Sequence, residues 1–331
     1  MRLSDISRID EIWFFIASHL GVRATVASNA ISPTFVPAVE AFLERLKRAV
    51  PRAVTIYICG GEAQSGQAGL KTLNTLESWN AGSHAWETKP AMRWKRWAAA
   101  AAASRGQIIV CGGAYFNDEL SGSVVSLRSA ESFDCRMGIW RELPSMSSVR
   151  VGAAAFVSND MFFVCGGGHG GDDLQVALTD DGDDIQATVE GFDLLREVWE
   201  MQPPMLQRRA HAAAACLDGR ALVCGGSHGT CDLKSVESYD VSTRCWKLLP
   251  PMSQRRSFAA AVATQEAFYV IAGRCVGPGG VLERFSFVTG VWEVLPHMPR
   301  HAFDGTAVAS GNILFFFWWL LTGRKKHSHV I

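Results

Sequence analysis

Residues 131–146 read Glu-Ser-Phe-Asp-Cys-Arg-Met-Gly-Ile-Trp-Arg-Glu-Leu-Pro-Ser-Met, and the same pattern occurs five times along the chain. The aromatic residue that closes a Glu-x-aromatic triplet (Trp79, Phe133, Phe192, Tyr239, Phe285) is followed seven residues later by a tryptophan (Trp86, Trp140, Trp199, Trp246, Trp292). Six residues beyond each tryptophan stands a methionine: Met92, Met146, Met205, Met252 and Met298. Upstream, every unit carries a glycine pair or its remnant: Gly60-Gly61, Gly112-Gly113, Gly166-Gly167, Gly225-Gly226 and Ala272-Gly273. From one third-strand aromatic to the next the interval is 46 to 59 residues, the period of propeller blades.

Each unit divides into four short strands. A run of small residues comes first (Ala98 to Ala103, Gly152 to Ala155, Ala212 to Ala215, Ala259 to Val262, Thr306 to Ala309). Such runs score as helix by propensity alone. Beside the axis of a propeller, however, blades converge and only short side chains fit, so these runs are predicted as inner strands. Apolar runs follow, such as Ile108 to Cys111 and Met161 to Cys165, with the length and composition of buried strands. The Glu-x-aromatic and tryptophan segments supply the third and fourth strands.

This arrangement resembles the kelch repeat over residues 54 to about 316. The resemblance implies an all-β propeller of four-stranded blades, most often six, closed where one terminus lends a strand to the blade built by the other. Two counts are open. Thr55 to Cys59 begins the first unit at its second strand, and Asp304 to Ala309 could supply the missing first strand, giving five blades with a composite closure. Alternatively, Asn312 to Phe317 is the second strand of an incomplete sixth blade. The chain accordingly divides into a helical segment over 1–50, a propeller over 51–316 and an apolar, then basic tail over 317–331.

From the first residue of the glycine pair to the third-strand aromatic the five units span 19, 21, 26, 14 and 13 residues, so length variation is confined to one loop. In an antiparallel blade that loop and the crossing to the next blade emerge on one face. Four residues after the methionine, each crossing carries an arginine (Arg96, Arg150, Arg209, Arg256), with Arg300 two residues after Met298. His211 and Phe258 lie two residues past their arginines, near the same rim. Two readings stand side by side: the arginines pair with carboxylates or carbonyls of neighbouring blades, or their rigid forks capture acidic side chains of a peptide. In kelch substrate receptors arginines at this motif position line the ligand pocket, so the resemblance implies the second.

Lysine plus arginine and aspartate plus glutamate balance at 32 each among 331 residues, which gives no general attraction to nucleic acid or an anionic membrane. Nine cysteines without a CxxC pair, and an N-terminus without the basic and apolar regions of a signal peptide, fit a reducing cytoplasm. Cys59, Cys111, Cys165 and Cys224 recur with the blade period, which marks packing positions rather than a metal set. The aspartates between Asp172 and Asp184 lack the spacing of a calcium loop and read as a solvated insertion. Ile313 to Leu321 is apolar but far short of the roughly 20 residues of a bilayer span.

Before the repeats, Ile9, Ile12, Trp13, Ile16 and Leu20 recur at helical spacing, as do Val39, Phe42, Leu43 and Leu46. A helical module ahead of kelch repeats resembles an F-box, although Arg8-Ile9 stands where that family has Leu-Pro, and its Lys-x-Trp signature is missing. Together these readings describe a non-enzymatic adaptor without cofactor. It binds an acidic protein segment through Arg96, Arg150, Arg209, Arg256, Arg300, His211 and Phe258, with residues 1–50 connecting it to a cullin-RING ubiquitin ligase. Two alternatives remain: a metal- or sugar-handling enzyme using His169, His211 and His228 on the same face, and an actin-associated kelch scaffold.

Overall fold

The computed structural model describes residues 55–330 except 65–69, 81–82, 84, 118–122, 170–183, 276–280, 297–302, 311–312 and 320–325. The helices expected over 1–50, most of the acidic insertion, and Arg300 therefore lie outside the described residues. What is described is all β, a ring of antiparallel sheets. Blades 2 to 5 are complete, with strands in sequence order. They are Ala100–Ser104, Gln107–Cys111, Ala130–Asp134 and Ile139–Leu143; Ala154–Ser158, Met161–Cys165, Val189–Asp193 and Val198–Gln202; Ala213–Leu217, Arg220–Cys224, Val236–Asp240 and Cys245–Leu249; and Ala260–Ala263, Phe268–Ile271, Leu282–Phe285 and Trp292–Leu295. Blade 1 is described by three strands, Thr55–Cys59, Leu76–Asn80 and Ala85–Lys89.

The invariant interval of seven is a register. Phe133 lies opposite Trp140, Phe192 opposite Trp199, Tyr239 opposite Trp246, Phe285 opposite Trp292 and Trp79 opposite Trp86 across the third and fourth strands. In blades 2 to 5 the paired rings sit with centroids 5.2, 5.0, 4.8 and 5.2 Å apart. Such aromatic pairs contribute about 0.5–1.5 kcal/mol beyond their buried area. Each tryptophan also ties its blade to the one before. The indole Nε1 of Trp140, Trp199, Trp246 and Trp292 donates to the carbonyls of Pro90, Pro144, Pro203 and Pro250 at 2.7–2.8 Å.

The cores lie between blades. Met92 packs with Leu76, Ile108, Val110 and Phe133, and Met146 with Ile109, Phe162, Val164 and Phe192. The small-residue runs form first strands that lie side by side around the axis, as their short side chains require. Helical propensity loses here because each run is hydrogen-bonded to its own apolar strand, Ala100–Ser104 to Gln107–Cys111 for example. Gly112, at φ 64°, has no alternative: a methyl group there would overlap the carbonyl of Arg150 at the next crossing.

Beyond blade 5 a three-stranded sheet follows, Phe303–Ser310, Ile313–Trp319 and Lys326–Val330. Phe303–Ser310 pairs with Ile313–Trp319, not with Thr55–Cys59, so the incomplete sixth blade is the count that the pairing supports. A tight hairpin to an adjacent apolar strand closes far less chain than a return to residue 55. Four arginines precede the first punctuating residue of their unit by sixteen positions, and the same interval from Arg300 falls on Phe316. Without glycine there, the strand runs on to Trp319.

Candidate functional site

Each described register arginine enters its own blade through its side chain and holds the preceding blade through its carbonyl. The carbonyls of Arg96, Arg150, Arg209 and Arg256 accept from the amides of Gly61, Gly113, Gly167 and Gly226 at 2.8–2.9 Å. The guanidinium of Arg150 donates from Nε and Nη2 to Glu190 Oε1 at 3.1 and 2.9 Å, from Nη1 to the carbonyls of Gly166 and Thr188, and from Nη2 to Thr188 Oγ1. Arg96 makes the same set with Glu131, Gly112 and Ser129, and Arg209 with Glu237, Gly225 and Ser235. The glutamate of the Glu-x-aromatic triplet then reaches back with Oε2 to the amide following the methionine, at Arg93, Ser147, Leu206 or Ser253. Both charges of each pair are buried, with side chains at most 2% exposed.

The geometry overturns the expectation that Arg96, Arg150, Arg209 and Arg256 present a docking surface. Their donors are directed inward, to a carboxylate and two carbonyls, and a guanidinium sealed in this way cannot reach a partner without breaking a buried ion pair. They are bolts. The outward groups are their neighbours: Lys95, Arg208 and Arg255, one residue earlier, are exposed, as are Arg128 and Lys234 just ahead of the third strands. Sequence reading passed over this set because the arginine register was the more regular signal, and regularity here records the ring's own assembly.

The crossings and the variable loops do share a face. The residue after each arginine bridges to the one after the glycine pair: Trp97 to Ala114, Val151 to Gly168, Ala210 to Ser227, and Ser257 to Arg274. One position further, a chain of backbone hydrogen bonds links successive blades, from Gly152 to the carbonyl of Ala98, His211 to that of Gly152, and Phe258 to that of His211. This brings His211 and Phe258 together, with rings stacked 4.0 Å apart and 23° from parallel. The imidazole covers Gly152, where a β-carbon would collide with the ring. Arg274 lies over Phe258, 5.7 Å from the ring centroid, and pairs with Asp232 at 3.1 Å. Arg255 donates to the carbonyl of Asp232. The result is a half-buried aromatic stack rimmed by two exposed guanidiniums, one of them oriented in advance by a carboxylate and a ring face.

Burial, then the nearby Arg274 guanidinium, pull the His211 pKa down to about 4, with Asp232 opposing them. The imidazole is therefore neutral at physiological pH. Cys111, Cys165 and Cys224 are buried, with thiols pushed up to about 12 by desolvation. His169, His211 and His228 do not form a cluster, and among the described residues no three His, Cys, Asp or Glu side chains are grouped to hold a metal ion. Among the described residues no helix is long and apolar enough to cross a membrane.

Residues 98–147, 208–253 and 255–299 match the family model of the Kelch motif. These three stretches are similar to the kelch motif. An Arabidopsis thaliana protein named as an F-box/kelch-repeat protein is 27% identical over 122 residues, which span 36% of this chain and 31% of that protein. The match thus covers about a third of the relative's length. The solved structure titled "Structure of YjhT" superposes with a TM-score of 0.69 at 15% identity, covering 84% of this chain and 95% of that one. That likeness carries the propeller fold and nothing beyond it.

Proposed function

We propose that this kelch propeller is a non-enzymatic protein-recognition module of the cytoplasm. It docks an acidic partner segment on the loop face at the stack of His211 and Phe258, through Arg255 and Arg274 with Lys95 and Arg208 around the ring. The supporting observation is the placement of Arg274, which lies over Phe258 and pairs with Asp232 while half-exposed. A guanidinium held in this way loses little freedom on meeting a carboxylate. Several such weak contacts along one segment would combine into useful affinity. In this proposal residues 1–50 connect the bound partner to a cullin-RING ubiquitin ligase. That part rests on the F-box resemblance and on the name of the Arabidopsis relative.

The docking part is tested with a fluorescent peptide rich in aspartate and glutamate. The full chain should bind it with affinity that falls as salt rises. Arg255→Glu together with Arg274→Glu should weaken binding by about tenfold or more while the melting temperature stays within a few degrees of wild type. Salt-insensitive binding, or binding unchanged in the double variant, would remove the acidic-segment reading. Co-purification of the intact chain tests the ligase part, and reproducible absence of cullin and its adaptor would sink it.

A further inference from the structure

The bolt of blade 5 departs from the other three in two residues. Ser129, Thr188 and Ser235 each place a hydroxyl on the arginine Nη2 at 2.9–3.0 Å, and in blade 4 the Ser235 hydroxyl also donates to Gln207 Oε1. Val281 occupies the corresponding position in blade 5, two residues ahead of Glu283, and has no hydroxyl to offer. Unpaired polar atoms lie around this arginine, and Gln254 Oε1 is the one that a hydroxyl at position 281 would meet, as Ser235 meets Gln207. Among the described residues Arg256 Nε and Gln254 Oε1 are buried without a hydrogen-bond partner, and so is the hydroxyl of Ser257. Among the described residues, Arg256 donates to the carbonyls of Ala272 and Val281 and to one oxygen of Glu283.

The second departure is Ala272, which stands where the other units have glycine and adopts φ 56°. Such a conformation is costly for a residue with a β-carbon. At Gly60, Gly112, Gly166 and Gly225 a methyl group would overlap the carbonyl of the arginine that begins the following blade. Ala272 carries that methyl at the equivalent position of blade 5 and holds it at a positive φ. Blade 5 therefore combines an incompletely bonded arginine with a strained residue at the end of its second strand.

We propose that the propeller opens locally at blade 5, which serves as the hinge of the ring, while blades 2 to 4 stay closed. Unsatisfied buried polar atoms lower the free energy of local opening, and regions of low local stability are where binding proteins move. Phe258 and Arg274 move with this blade, so opening alters the mouth of the loop face without disturbing the remaining bolts.

Hydrogen exchange followed by mass spectrometry on the full chain tests this directly. The amides of Ser253 and Arg256, which bond to Glu283 and Leu233, should exchange about tenfold or more faster than those of Ser147 and Arg150, their equivalents in blade 3. Val281→Ser should restore the hydroxyl and slow exchange at Ser253 and Arg256. Ala272→Gly should relieve the positive φ and slow exchange at residue 272, whose amide bonds to the carbonyl of Val281. Ser235→Val should transfer the fast exchange to Leu206 and Arg209 of blade 4, and supplies the test if Val281→Ser does not fold. Equal protection of blades 3 and 5, or Ser235→Val without effect on blade 4, would overturn the proposal.

Discussion

Glu190 accepts two hydrogen bonds from Arg150 on one oxygen and the amide of Ser147 on the other, so a single buried carboxylate locks both ends of the crossing between blades 2 and 3. Glu190→Ala leaves the guanidinium of Arg150 buried and uncompensated, and should cost about 3–5 kcal/mol in denaturant unfolding. The double variant Arg150→Ala, Glu190→Ala should cost clearly less than the sum of the two single changes. Additive costs would show that the pair does not act as a unit.

Trp199 holds blade 3 to blade 2 through the carbonyl of Pro144, 2.7 Å from its indole nitrogen. Trp199→Phe keeps the ring against Phe192 but removes that donor, and a loss of about 1 kcal/mol in unfolding free energy is expected. No change in the unfolding midpoint would mean that the tryptophan acts only by packing.

His211 makes stability depend on pH. Its folded pKa of about 4 lies below the ordinary value of 6.5, so between these limits the unfolded chain binds a proton that the folded chain refuses. Its contribution is unchanged above about pH 6.5 and falls as pH drops towards 4, by at most about 1.4 kcal/mol per pH unit and less for a half-buried ring. His211→Phe, which preserves the stack on Phe258, should flatten the dependence between pH 6.5 and 5. Parallel urea titrations of the two proteins at those pH values provide the comparison.

Buried thiols provide a separate check on the packing between blades. Cys231 and Cys245 are exposed, whereas Cys111, Cys165 and Cys224 are buried with thiols pushed up to about 12. Iodoacetamide at neutral pH should label the exposed pair in minutes and the buried three only in denaturant. Rapid labelling of Cys165 in the native protein would contradict the described core.

Much of the architecture was legible because the repeat writes its contacts as fixed intervals. The seven residues from Phe133 to Trp140 are a cross-strand pair, and the six from Trp140 to Met146 carry the chain to the next core. The alanine runs were readable as strands only once the ring was inferred. The direction of Arg96 and its equivalents was not readable, since a conserved spacing is compatible with a guanidinium pointing either way. Its partner is the glutamate of the triplet, 35 residues further along the chain, and the two meet only when the blade has closed. Arg274 has no counterpart in the other units, and its importance appears only with Phe258 and Asp232 beside it.

Arginines in register bind blade to blade while the cations beside them face outward. Thermal unfolding of Lys95→Ala and Arg96→Ala, measured side by side, tests it most directly. Lys95 is exposed, and its replacement should shift the melting temperature by no more than a degree or two. Arg96 is sealed against Glu131, and its replacement should lower the melting temperature by about ten degrees or prevent folding. Equal, small shifts for both variants would show that Arg96 does not hold the blades together.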